Sequence, residues 1–177
     1  PAWGSEIALD VFTNIAKLHP LSHFIFLGGA GVKKYVDDAR IMIKKEGFES
    51  RVTFFEDDIS MVECLELMSI SDISTSFMIE RDMRSLSISQ SICLGNFPIL
   101  SNQEEYKEMI KLGLKAELVD INNVESIVNV LDNCLSNFDE FEHKIEMNNN
   151  YCEKYENWEK QHNLLINRIM EEKKCAE

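Results

Sequence analysis

Apolar residues recur at helical spacing near the start of the chain, at Ile7, Ala8, Val11, Phe12, Ile15 and Ala16, and His19-Pro20 closes that run. Residues 23–27 follow as His-Phe-Ile-Phe-Leu. A strand apolar on both faces belongs inside a parallel sheet covered by helices. After a glycine-rich turn the pattern predicts a helix over 33–46 ending near Gly47, a strand over 51–55, and a helix over 61–70 with Val62, Leu65 and Met68 inward. A strand over 72–78 comes next. Beyond residue 100, a helix over 104–112 stops at Gly113, a short strand spans 116–119, and Val124, Ile127, Val128 and Leu131 mark the apolar face of a further helix.

The stretch ERDMRSLSISQSICLGNFPIL, from Glu80 to Leu100, carries the sharpest version of this pattern. A charged loop leads into a helix whose Leu86, Ile88, Ile92, Cys93 and Leu94 are expected to be buried. Gly95 stops that helix, and Phe97-Pro98-Ile99-Leu100 reads as a buried strand. Five strands separated by helices predict a doubly wound, mostly parallel α/β sheet with helices on both faces, because parallel neighbours need crossover connections. From Asp139 the sequence turns polar, which predicts a solvated helical extension, unless Tyr155, Trp158, Leu165, Ile166 and Ile169 lie against another surface. The expected division is an α/β domain over 1–138 and a C-terminal helical extension of the same domain over 139–177.

At 177 residues the chain has the size of one domain and can bury a sizeable core. Its net charge of -13 argues against a nucleic-acid partner, since neutralising phosphates needs clustered Lys and Arg. It also disfavours electrostatic docking on an anionic membrane. No run reaches the roughly 18 apolar residues of a membrane span, and Pro1-Ala2-Trp3 is not a basic leader to an apolar stretch, so no transmembrane segment and a cytoplasmic location are expected. The five cysteines, Cys64, Cys93, Cys134, Cys152 and Cys175, are scattered without a CxxC pair and are expected to be free thiols rather than metal ligands.

Several pieces, in order along most of the chain, resemble the C-terminal Rossmann-like domain of the two-domain, nucleotide-sugar-dependent retaining glycosyltransferases of the group 1 type. Leu27-Gly28-Gly29-Ala30-Gly31 is similar to that family's glycine-rich turn, Arg51-Val52-Thr53-Phe54 to its third strand and Ser71-Asp72-Ile73 to its fourth. Gly95-Asn96-Phe97-Pro98 is similar to its Gly-x-Pro turn with one extra residue, and Tyr155, Trp158 and Glu159 to the aromatic-Trp-Glu signature of its closing helices. The resemblance implies transfer of a sugar from a nucleoside-diphosphate donor to a hydroxyl acceptor. It also implies that the acceptor is held by an N-terminal domain missing from this chain, and that no cofactor is needed beyond the donor.

The family places one Glu after its fourth strand, on the transferred sugar, and a second eight residues later, on the ribose diol. Counted back from Gly95 these fall on Asp82 and Gln90; counted from Pro98 they fall on Met83 and Ser91. Glu80 is an alternative acidic group if the loop is longer. Asp82 keeps the charge on a shorter side chain, whereas Gln90 replaces a bidentate carboxylate by one acceptor and one amide donor. Met83-Arg84-Ser85 stands where the family has a glycine-containing step, and the resemblance implies Arg84 as a phosphate contact and Ser85 as a further residue binding the nucleotide sugar. Gly28, Gly29 and Gly31 precede a helix, where backbone N–H groups favour a phosphate. A full dinucleotide fingerprint is absent, because Lys34 stands where its third glycine belongs. Gly4 is similar to a glycine of the family's diphosphate loop, which puts Trp3 where a cation is usual.

Each position also has a purely structural reading: the glycines as a tight turn, Asp82 as a helix cap, Gln90 as a surface residue. The implied activity is donor binding in a retaining glycosyltransferase. Its rival from another class is a degenerate, non-catalytic module that acts through protein–protein contact.

Overall fold

The structure is a computed structural model that describes residues 5–27, 33–55, 59–77, 85–157 and 159–160, the side chains of 5, 6 and 33–35 excepted. Helices α1 (Ser5–Leu18), α2 (Lys33–Glu46), α3 (Met61–Ser69), α4 (Leu86–Cys93), α5 (Glu104–Lys111), α6 (Val124–Ser136) and α7 (Phe138–Tyr151) alternate with the strands up to α6. The strands are β1 (Phe24–Leu27), β2 (Val52–Phe55), β3 (Ile73–Ser76), β4 (Phe97–Ser101) and β5 (Glu117–Val119). All pairings are parallel, in two sheets ordered β1-β2 and β3-β4-β5. The α/β architecture expected from the alternation of apolar runs is therefore present.

Alternation along the strands divides the core into two layers. Phe97 and Ile99 of β4 pack with Val11 and Ile15 of α1 and with Ile127, Val128 and Leu131 of α6. Leu100 points the other way, onto Ile88 and Ile92 of α4 and Tyr106 and Met109 of α5. A third cluster joins Leu9, Phe12 and Ala16 of α1 to Ala39 and Ile43 of α2 over Phe24, Val52 and Phe54. One layer thus holds α2, α1 and α6, and the opposite layer α4 and α5. β4 lies fully buried between them, with β3 and β5 on its two sides. Its Pro98 costs no ladder bond. Phe97 donates to Asp72 O at 2.8 Å, so odd positions face β3, and the missing N–H of Pro98 faces β5 one residue before that pairing starts at Ile99.

Polar side chains close the ends of these elements. The Arg51 guanidinium donates to the Ala16, His19 and Ser22 carbonyls, capping the C-terminal end of α1, and lies 5.4 Å from the Phe48 ring centroid. Gly95 ends α4 at φ 93, the left-handed region that glycine enters without a Cβ penalty. The next residue, Asn96, is 1% exposed and donates through Nδ2 to Met68 O at 2.8 Å and to Ser71 O. This clamp holds the end of α3 against the end of α4. At the other end of α3, Ser60 and Glu63 form a reciprocal capping box, with Ser60 Oγ accepting from Glu63 N at 3.2 Å and Ser60 N donating to Glu63 Oε2 at 2.8 Å.

Three readings of the apolar pattern change. On α4, Leu86, Cys93 and Leu94 are exposed, while Ser89 and Ser91 are buried beside Ile88 and Ile92. Ser91 Oγ donates to Ile88 O at 2.9 Å, which satisfies the hydroxyl inside the helix and lets a small residue face the core. On α3, Val62 is 65% exposed and only Met68 is buried, because a nine-residue helix offers one narrow inward stripe. The polar stretch after Asp139 is not simply solvated. Phe141 of α7 stacks edge-on against Phe97, Tyr151 joins the α4–α5 cluster, and Asn148 exchanges two hydrogen bonds with the backbone of Lys115 at 2.7 and 2.9 Å. A π-helical turn, Cys152–Glu156, follows, and its Tyr155 packs on Tyr151.

Replacing Asn96 by Ala leaves two carbonyls without their donor and is expected to cost about 2 kcal/mol in urea unfolding. Asn96→Asp is expected to cost more at neutral pH, since it sets a carboxylate against the same two oxygens. The Glu63 carboxyl is held below its ordinary range by hydrogen bonds from the Ser60 hydroxyl and then the Ser60 backbone. A lowered folded-state pKa contributes stability above the unfolded value, and that stability is lost as pH falls through the folded value. Glu63→Gln is therefore expected to lower the melting temperature at neutral pH, and the gap from the parent should close as pH falls below about 4.

Candidate functional site

The packing of α3 on α4 decides where the loops leave the sheet. Asn96 joins the C-terminal ends of the two helices, and Gln90 of α4 reaches Met61, the first residue of α3. The helices therefore run in the same direction. Since α3 follows β2 and α4 follows β3, the C-terminal ends of β2 and β3 share one edge, and β1 joins them through its parallel pairing with β2. Leu27, Phe55 and Phe77, after which the sequence continues into 28–32, 56–58 and 78–84, lie at that edge. In open α/β sheets this is where ligands bind.

Six of the residues singled out by sequence, Gly28, Gly29, Gly31, Glu80, Asp82 and Arg84, lie outside the described residues, as do Trp3 and Gly4. Ser85 and Gln90 are described. Ser85 is the N-cap of α4 in extended conformation, and its side chain makes no capping bond, which leaves the hydroxyl free of that duty. Gln90 is half-buried, and its Nε2 donates to Met61 Sδ at 3.7 Å, a weak contact with a poor acceptor. Five residues apart on a helix, Ser85 and Gln90 project about 140° from each other and about 7.5 Å along the axis. The structure does not gather them at one point; it places Ser85 at the mouth of α4 and Gln90 on the flank facing α3.

Sequence reading passed over three features of this edge. The first is the N-terminus of α3, where Ser60 and Glu63 carry the Ser-x-x-Glu spacing that signals a capping box. Met61 and Val62, 57% and 65% exposed, stand beside it as an apolar rim. The third is the buried pair at the end of β3, where Ser76 Oγ and Tyr106 Oη lie 2.9 Å apart. Burial raises the Tyr106 pKa, so the phenol stays protonated and available as a hydrogen-bond partner. No residue spacing announced that pair, because its members are thirty positions apart.

Other chemistry is limited. Burial pushes the Cys134 thiol up to about 12, which makes it an inert core residue. Among the described residues no group of three or more His, Cys, Asp or Glu side chains is placed to hold a metal ion, and no helix is long and apolar enough to cross a membrane. A cavity of about 360 Å³ lies open along α6, lined by Asn123, Glu125, Ser126, Asn129, Val130 and Asn133. All six come from one helix and its cap, so the groove has no converging groups.

No protein-family model and no curated protein matches the chain by sequence. Solved structures do match its fold. The C-terminal domain of a group 1 family glycosyl transferase (LpcC) from Francisella tularensis superposes with a TM-score of 0.76 at 15% identity, over 87% of this chain and 80% of that one. HepE from Anabaena, solved in complex with UDP and glucose, matches at 0.72 and 18% identity over 88% of this chain and 41% of its own. Sucrose-phosphate synthase from Thermosynechococcus elongatus matches at 0.74 and 13% identity, over 96% of this chain and 43% of its own. The chain thus spans less than half the length of two of these proteins and most of an isolated C-terminal domain. Its fold is that of the Rossmann-like C-terminal domains of group 1 glycosyltransferases.

Proposed function

We propose that this domain binds the nucleoside-diphosphate sugar donor of a retaining glycosyltransferase, at the edge from which 28–32, 56–58 and 78–84 leave. The observation that carries the reading is the fold match, over 88% of the chain, to a protein solved with UDP and glucose. It is supported by the parallel packing of α3 and α4, which turns the N-terminus of α4, where no side chain caps the first N–H groups, to that edge; free helix N–H groups favour anionic oxygens.

In this reading Asp82 or Glu80 accepts hydroxyl hydrogens from the transferred sugar, and Gln90 holds the ribose by turning its amide away from Met61. Gly28, Gly29 and Gly31 let the backbone approach the diphosphate, and Arg84 and Ser85 supply donors to it. Retaining transfer of this type is driven by positioning the donor and stabilising the departing diphosphate. The hydroxyl acceptor is assigned to a further N-terminal domain, consistent with the 41% of HepE that this chain spans.

A second reading, a degenerate module that binds a protein partner, is favoured by the Gln90 contact with Met61, which gives the amide a partner within the domain itself. Titration calorimetry with UDP separates the two. The isolated chain is expected to show no transfer and weak nucleotide binding, since one wall of the cleft lies on another domain. Gln90→Ala should weaken UDP binding by about 1 kcal/mol, the scale of one neutral hydrogen bond, and Gln90→Glu should match or improve on the parent. Identical affinities for all three would make Gln90 a bystander and favour the partner-binding module.

A further inference from the structure

The C-terminal end of β3 is held from both faces of the sheet. Successive side chains of the strand alternate, so Ile73 packs toward α1 and α6 while Ser74 and Ser76 face α4 and α5. Ser76 is 9% exposed, and its Oγ lies 2.9 Å from Oη of Tyr106, which is 2% exposed and stands in the first turn of α5. The next residue, Phe77, turns to the opposite face and is buried in the cluster of α1 and α6. Two consecutive residues are thus fixed in opposite layers.

This bond is not a by-product of neighbouring elements. β4 lies between β3 and β5, and Tyr106 packs on Leu100, the β4 residue paired with Ser76, so its hydroxyl reaches over β4 to the strand beyond. Ser74, one step back on the same face, keeps a buried Oγ with no partner among the described residues. The bonded serine is the one at the strand end. Among the described residues β3 is laddered to β4 alone, so its end has a strand neighbour on one side only. Tyr106 supplies the second hold, and it is itself anchored, because Met109 and Leu114 pack with it against Ile88 and Ile92 of α4.

The sequence beyond this point gives the hold a purpose. Glu80 stands three residues after Phe77 and Asp82 five residues after it. Groups so close in sequence to a fixed strand end depend on where that end sits. Catalysis by positioning is sensitive to such placement, since a shift of about 1 Å can cost on the order of a hundredfold.

We propose that Tyr106 is a positioning residue of the donor site: without touching the donor, its hydroxyl fixes through Ser76 the end of β3 from which the chain continues to Glu80 and Asp82. The proposal rests on the donor-binding reading above and adds to it a residue of α5, an element outside the family's acidic motif.

The test separates positioning from plain stability. Tyr106→Phe, Ser76→Ala and the double variant are made in the whole chain, and their melting temperatures and their affinities for UDP-glucose and UDP are measured well below melting. Each single variant leaves one buried hydroxyl without this partner and is expected to melt lower than the parent. The double variant removes both hydroxyls together and is expected to recover part of that loss. Its affinity for UDP-glucose is nevertheless expected to stay about three- to tenfold below the parent's, the scale of one hydrogen bond, with a smaller loss for UDP, which lacks the sugar assigned to Glu80 or Asp82. An equal loss for the two ligands in the double variant, or no loss, would overturn the proposal and leave the pair a purely structural bond. Absence of binding by the parent would instead refute the donor reading, and the proposal with it.

Discussion

Parallel pairing is the constraint on which this structure depends. Neighbouring strands that run the same way cannot be joined by a tight turn, so each connection must carry a helix back across the sheet. Every strand here meets that requirement, and each one delivers its following loop to the same edge of its sheet. Residues 28–32 hold three of the chain's seven glycines, and residues 78–84 hold Glu80, Arg81, Asp82 and Arg84.

What keeps the scaffold in register is a small set of polar side chains, Asn96 and Asn148 buried and Arg51 half-buried, working beside the apolar core. Arg51 fixes the end of α1 to the start of β2, Asn96 fixes the ends of α3 and α4, and Asn148 fixes α7 to the backbone before β5. Each satisfies backbone groups that no regular ladder reaches. A net hydrogen bond contributes only about 1 kcal/mol, but a buried carbonyl left without its donor costs more than that, so these residues act chiefly by preventing a loss. Their placement at element ends also fixes how the helices pack, and the shared direction of α3 and α4 sets the C-terminal ends of β2 and β3 at one edge.

Much of the fold was legible because apolar spacing and glycine stops act locally. The α2 boundaries, the stop at Gly95 and the strands around Phe26, Phe54 and Ile99 all follow from residue type. Where reading failed, a long-range partner changed the meaning of a residue. Asn96 looks like an inserted turn residue until Met68 and Ser71 are beside it, and Arg51 looks like the first residue of a strand until the α1 carbonyls are in reach. Ser89 and Ser91 look exposed until a backbone acceptor one turn earlier allows the second of them to be buried. The polar helix α7 conceals a core face in Phe141, Asn148 and Tyr151, spaced seven and three apart. For the site, motif spacing located Ser85 and Gln90 on α4 but was blind to Met61 and to the Ser76–Tyr106 pair, which only folding brings to the same edge.

The functional account comes down to one claim, that the edge beyond β1 and β3 is where a nucleotide sugar sits. Amide chemical shifts followed by NMR during titration with UDP-glucose test it residue by residue. The account predicts that shifts concentrate at Leu27 and the 28–32 connection, at Phe77 and the 78–84 connection, and at Ser85 and Gln90 on α4. Shifts confined to the groove along α6, at 123–133, or a spectrum unchanged at millimolar ligand, would contradict it.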